Sequence, residues 1–301
     1  MSKRLLLGII VVLLITNIAT LLFWNKGETI VIGDDKKVAV KGKEPVASIG
    51  GEEVTFEDWM RDLRDSHGEK QLKKMIDRVV VNKLAKKNKF EIPDKVMNRE
   101  LSLLRSMQCV MTKKEIEDKE ATWREDIRYR YQLEGLLTKD TPIEEQKIKE
   151  FYDIYKNQYN FKAAMQLSHI VVQDSDVAKK VIKELDDGAS FDLLAREYSI
   201  DEDSKKDGGY LGFITTSSQF FPNGYEEVAN NMETHTYSEP FKVGHGVAII
   251  YLHQKLPSIE FTYDEMKPYV KSELALEKLE QSLTANPLWD KLDVEWIYGE
   301  Q

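Results

Sequence analysis

The chain opens on one uncharged apolar run, Leu5 to Trp24 (LLLGIIVVLLITNIATLLFW), behind Lys3 and Arg4. Wound as a helix it spans about 30 Å, the hydrocarbon thickness of a bilayer. Trp24 stands at its end, where an indole favours the interface. The pattern predicts a transmembrane helix over residues 5–24, within an anchor of residues 1–24. The rival reading is a cleaved secretory signal, which needs small residues one and three positions before the cut. Asn17-Ile18-Ala19-Thr20 offers Ala at one such position and Asn at the other, and no cysteine follows for lipid attachment. An uncleaved signal anchor is the expectation, with the short basic tail inside and the bulk of the chain outside. Residues 25–45 are polar and charged, lack a helical period, and read as a tether.

From residue 46 to 160 the pattern is mostly helical. VASIGGEEVT (Val46 to Thr55) reads as two short strand pieces around Gly50-Gly51. Thr55 with Asp58 is a helix start, and Phe56, Trp59, Met60 and Leu63 follow on one helical face. Leu72, Met75, Ile76, Val79, Val80 and Leu84 form the stripe of a second helix. Pro93 opens another, Thr112 with Glu115 caps another, and Thr141-Pro142-Ile143-Glu144 combines an N-cap, an N1 proline and an acid. Phe151, Tyr152, Tyr155 and Tyr159 recur at helical spacing, for which core packing is the first reading.

Near residue 164 the period changes again. Gln166 to Val172 is alternating and β-branched, Asp176 to Leu185 is helical up to Gly188, and Ser190 starts the short helix FDLLAREYS. A polar loop leads into Gly208-Gly209-Tyr210-Leu211-Gly212-Phe213, then a helical piece from Tyr225 to Met232 and strands around Phe241 and from Val247 to Leu252. The result is a compact β-α-α-β-α-β-β domain over residues 164–256. A helical tail, residues 257–301, is expected to pack on the N-terminal helices, burying faces that neither segment buries alone.

Composition narrows the chemistry. A net charge of −9 over 301 residues, with acids interleaved among the bases, argues against nucleic acid as a partner. Cys109 is the only cysteine, so neither an intramolecular disulfide nor a cysteine-based metal cage can form. The five histidines show no metal-ligand spacing, and no P-loop, dinucleotide fingerprint or EF-hand loop is present, so neither metal nor cofactor is expected. On composition alone His169 reads as a core histidine and Asp201 as a turn residue, since Asp, Glu and Ser crowd IDEDS.

Four blocks in register alter that reading. S-H-I-V-V, G-A-S-F-D-L-L-A-R-E-Y-S, G-G-Y-L-G-F and S-E-P-F-K-V-G-H-G-V-A-I-I-Y-L follow one another in the order and spacing of the parvulin domain, which residues 164–256 resemble along their whole length. With V-A-x-I-x-G-x-x-V-T and helices before it and a helical tail after it, the chain resembles the membrane-anchored PrsA- and SurA-like extracytoplasmic foldases of Gram-positive bacteria. The resemblance implies an α+β protein: a transmembrane helix, a mostly helical chaperone-like domain completed by the C-terminal helix, and a parvulin (FKBP-like) domain. It implies peptidyl-prolyl cis-trans isomerase activity on unfolded or partly folded secreted polypeptides containing X-Pro bonds, outside the cell membrane that residues 5–24 span.

By motif position the resemblance implies a polar cluster of His169 and Asp201 and a proline pocket of Leu211, Phe221 and Tyr225, with Met232 behind. Three positions depart from the family pattern. Ala248 stands where a second histidine is expected, Val243 where a hydroxyl residue is expected, and Tyr210 where many members have aspartate. His245 lies an odd number of residues from Ala248, so an unbroken strand would face it the other way. The alternative implied by these departures is a non-catalytic holdase or scaffold carrying a degenerate parvulin domain.

Overall fold

The computed structural model describes residues 29–32, 38–41, 43–244, 246–279 and 283–299. The apolar run from Leu5 to Trp24 and His245 lie outside them. Among the described residues no helix is long and apolar enough to cross a membrane. The chain divides into two compact units, residues 1–77 with 295–301 and residues 78–294.

In the first unit the segment expected to be a tether carries an antiparallel pair, β1 (Thr29–Ile32) and β2 (Val38–Lys41). TIVI and VAVK are β-branched enough to pair across the polar GDDKK, a signal that the charge of the stretch obscures. A second hairpin joins β3 (Pro45–Ile49) to β4 (Glu52–Thr55) through Gly50 and Gly51, whose positive φ values of 61° and 97° make the tight turn. Thr55 then caps α1 (Phe56–Leu63) by accepting from Asp58 N. One wide turn, Arg64–Gly68, leads into α2 (Glu69–Lys87), within which the division between the units falls.

The helices of the second unit pack through their apolar stripes. Val80, Val81, Leu84 and Ala85 of α2 are buried. Pro93 precedes α3 (Asp94–Ser106), and a capping box between Thr112 and Glu115 opens α4 (Lys113–Thr138). The next helix, α5 (Glu145–Tyr159), starts three residues beyond Pro142; Glu144 and not Thr141 is its N-cap, because Thr141 N still closes the previous turn on Thr138 O at 3.0 Å.

From α5 the chain enters a sheet through β5 (Ala164–Val172), crosses α6 (Ser175–Asp186) and α7 (Phe191–Tyr198), and returns as β6 (Tyr210–Thr215). Then come α8 (Tyr225–Asn230), the two-residue β7 (Thr236–Tyr237), β8 (Phe241–Val243) and the long β9 (Gly246–Leu256). Strand β7 is absent from the sequence expectation; its two residues are too few to show an alternation. The sheet order is β6-β5-β9-β7, with β8 also on β9, and every pair is antiparallel. All nine residues of β5 are buried, so both sheet faces are covered.

One face, through Ile170, Val172, Val247 and Ile249, packs on Val181, Leu185 and Leu194 of α6 and α7. The other joins Leu167, Val171, Ala248, Ile250 and Leu252 to Phe221 and Tyr225. Past β9, Phe161 and Ile259 bond to each other as an isolated bridge, both N–H groups donating at 2.8 Å. The chain thus leaves the sheet beside the point where it came in. Tail helix α9 (Tyr263–Leu279) packs with α5, Met266 and Val270 meeting Ile148 and Tyr152. The Tyr152 hydroxyl donates to Phe261 O at 2.8 Å, and the Ser272 hydroxyl meets Thr138 Oγ1 at 3.0 Å. A short turn, α10 (Asn286–Trp289), follows.

Candidate active site

Alternation along β5 sends Leu167, His169 and Val171 to the α8 side of the sheet and Ser168, Ile170 and Val172 to the α6 and α7 side. His169, paired with Ile250 on β9, is 7% exposed. The loop after α7 is stitched to the same strand: Ile200 N donates to Val171 O at 2.7 Å, and Val171 N to Ser199 Oγ at 3.2 Å. This places Asp201 over the imidazole. Asp201 Oδ2 lies 2.9 Å from His169 Nε2 and accepts from Ser204 N at 3.1 Å, so the carboxylate also closes the turn from Asp201 to Ser204.

Gly209 lets the loop approach. Its carbonyl accepts from His169 N at 2.8 Å, its φ is 76°, and a Cβ there would sit 2.0 Å from His169 O. Any side chain would push the loop away from the strand that carries the imidazole.

The polar groups form a line. Ser204 Oγ lies 2.9 Å from His169 Nε2 and donates to Asp201 Oδ2, while the Tyr225 hydroxyl lies 2.7 Å from His169 Nδ1. Desolvation pushes the Asp201 carboxyl up, but hydrogen bonds from Ser204 and His169 outweigh it and hold its pKa below the ordinary aspartate value. Burial, with the Asp201 carboxylate second, pushes the Tyr225 phenol well above its ordinary range, so it stays protonated.

Beside that line lies an apolar cluster. Phe221 and Tyr225 are buried in it, and Leu211 and Met232 pack against it half-buried. Leu211 is the extra residue at the bulge between β5 and β6, where Leu167 pairs with Gly212 and Ser168 with Tyr210. The Tyr225 ring meets Phe241 edge-on at 5.3 Å. All six residues singled out from sequence therefore gather on one side of one sheet. Tyr225 belongs to both groups, its ring in the apolar cluster and its hydroxyl in the polar line.

The departures take definite places. Ala248 is fully buried, paired with Val171 and Phe241, and Val243 packs on the same cluster. Tyr210 is turned to the reverse of the sheet, accepting from Gln166 Nε2 at 2.7 Å and meeting the His253 ring edge-on at 6.0 Å. There Ser168 Oγ lies 2.9 Å from His253 Nε2, beside a cavity of about 570 Å³ lined by Met111, Phe191, His235, Tyr251 and His253. Sequence reasoning passed over Ser199, Ser204 and His253. The spacing Asp201-x-x-Ser204 is an Asx-turn signal that could have found Ser204; His253 carries no such signal.

With this geometry in view, two comparisons agree. Residues 172–254 match the rotamase family model described as the PPIC-type PPIase domain. The chain is 38% identical over 259 residues to the putative peptidyl-prolyl cis-trans isomerase YacD of Bacillus subtilis (strain 168), covering 86% of this chain and 87% of that protein. It is 28% identical over 255 residues to the foldase protein PrsA of Geobacillus kaustophilus (strain HTA426), covering 83% and 84%. Among solved structures, peptidylprolyl isomerase PrsA from Bacillus cereus is 22% identical with a TM-score of 0.34, covering 85% of this chain and 95% of that one. The chain belongs to the parvulin-type peptidyl-prolyl cis-trans isomerases.

Proposed function

We propose that this isomerase assists the folding of secreted polypeptides outside the cytoplasmic membrane, held there by residues 5–24, and that His169 and Asp201 form its amide site. Rotation about an X–Pro bond breaks no covalent bond; it must overcome about 20 kcal/mol of amide resonance and takes roughly 10–100 s unaided. A catalyst gains by binding the twisted amide better than the planar one. Leu211, Phe221, Tyr225 and Met232 would hold the proline ring. His169, oriented by the Asp201 carboxylate, would present the polar side to the amide as it loses conjugation.

The observation that carries this reading is the 2.9 Å contact between His169 Nε2 and Asp201 Oδ2 on the same sheet face as the apolar cluster. The apolar Ala248 and Val243 leave the amide fewer polar neighbours, which bears on the rate and not on the reaction. The test is isomerisation of a proline peptide by wild type, His169→Ala and Asp201→Ala, with folding followed by circular dichroism. Both folded variants should lose about tenfold or more in kcat/KM. Wild-type rates in both would remove the pair from the site.

A further inference from the structure

His169 is held at both ring nitrogens. Asp201, with its pKa below the ordinary value, is ionised at neutral pH, and an ionised carboxylate only accepts. The proton between them therefore sits on Nε2. In the neutral ring Nδ1 is then a bare lone pair, belonging to a residue that is 7% exposed. Facing it at 2.7 Å is the Tyr225 hydroxyl, which burial keeps protonated and which can only donate to that lone pair. Tyr225 has no freedom to turn elsewhere, being 2% exposed at the first position of α8 with its ring edge against Phe241.

We infer that Tyr225 is a positioning residue for isomerisation: its hydroxyl, and not its ring alone, fixes the orientation and tautomer of His169. A pocket-wall role needs only the ring, which phenylalanine would supply equally well. The hydroxyl is a buried polar group that a wall does not require, and it is stabilised only by meeting a partner. Its partner is the imidazole. The polar line thus runs from α8 through β5 to the loop after α7: Tyr225 O–H donates to Nδ1, Nε2–H donates to Asp201, and Ser204 secures the carboxylate. Without the phenol the ring is held at Nε2 alone, and Nδ1 is left unsatisfied in the core.

The inference rests on His169 being the amide-site imidazole, so the test separates the two. The full chain is assayed on a proline peptide as wild type, Tyr225→Phe, His169→Ala and the double variant, and 15N-labelled protein reports the imidazole nitrogens. Tyr225→Phe should lower kcat about tenfold with KM little changed. The His169 Nδ1 resonance should move toward that of a free unprotonated imidazole nitrogen. In the His169→Ala background the same substitution should cost nothing further, since Tyr225 acts through the ring that is gone.

A Tyr225→Phe variant with unchanged kcat, or one that loses the same factor with and without His169, overturns the inference while leaving the amide site in place. Full activity in His169→Ala overturns the amide site and the inference with it. Wild-type protein alone decides the geometry even if the variant folds poorly: a His169 ring protonated on Nδ1 would show the hydrogen bond to be drawn the wrong way.

Discussion

Ser168 and His253 face each other across β5 and β9 on the side of the sheet turned away from His169, with Oγ and Nε2 2.9 Å apart. The His253 ring is further packed against Tyr251, with centroids 4.7 Å apart. Burial first, and the nearby His235 second, lower its pKa from the ordinary 6.5 to about 4.

That depression has a sign. Between the two values the unfolded chain binds a proton that the folded chain refuses, so stability present above the unfolded value drains away as pH falls toward 4. Water still reaches part of the ring, which limits the loss to about 2 kcal/mol. His253→Gln should therefore lose less stability than wild type between about pH 7 and about pH 4.5, measured as denaturant midpoints. Parallel declines would show that His253 is not the group responsible.

Ala248→His introduces the family's second imidazole into a site with no room for it. Ala248 is fully buried between its register partners Val171 and Phe241. The added ring should cost about 1–3 kcal/mol by overpacking, seen as a lower thermal midpoint, and should bring no gain in isomerisation rate. A variant as stable as wild type and faster would mean that the cluster can open around this position.

Gly209→Ala places a methyl group 2.0 Å from the His169 carbonyl oxygen on a backbone with φ of 76°. The clash and the left-handed conformation together should destabilise by about 2–4 kcal/mol. The more informative readout is kcat/KM at a temperature where the variant is still folded. It should fall, because the loop that brings Asp201 to the imidazole can no longer close on β5.

Membrane attachment is tested on protein isolated from cells. With Leu5 to Trp24 as an uncleaved anchor, the chain should sediment with membranes and keep Met1 or Ser2 at its start. An N-terminal sequence beginning beyond residue 20 would report cleavage instead.

The elements with strong periods were legible from sequence. The alternation of β5, the stripe of α6 and the Thr112–Glu115 box all fall where the pattern puts them, because each is a local signal. The site was legible only by position in the motifs: nothing in IDEDS says that its first aspartate, and not its second, meets an imidazole 32 residues earlier. That choice depends on Ser199 tying the loop to Val171, a contact made in three dimensions. The double part played by Tyr225 was equally hidden, since an aromatic at a pocket position reads as a ring before it reads as a hydroxyl. The pairing of β1 and β2 was missed for the opposite reason, the charges of the GDDKK sequence outweighing two short branched segments.

The bridge between Phe161 and Ile259 gives the molecule a property of a different kind. In an antiparallel pair that exchanges both hydrogen bonds the α-carbons stand about 5.5 Å apart. The chain can therefore be closed there by a turn of a few residues. The stretch from Lys162 to Ser258 leaves and rejoins the helical part of the chain at this one place, and although Leu103 and Gln108 also touch it, contacts such as Tyr152 to Phe261 and Thr138 to Ser272 do not pass through it. Such an arrangement makes the rotamase a cassette: a descendant could exchange it, duplicate it or lose it in one genetic event and keep the bonds that tie the helical part together.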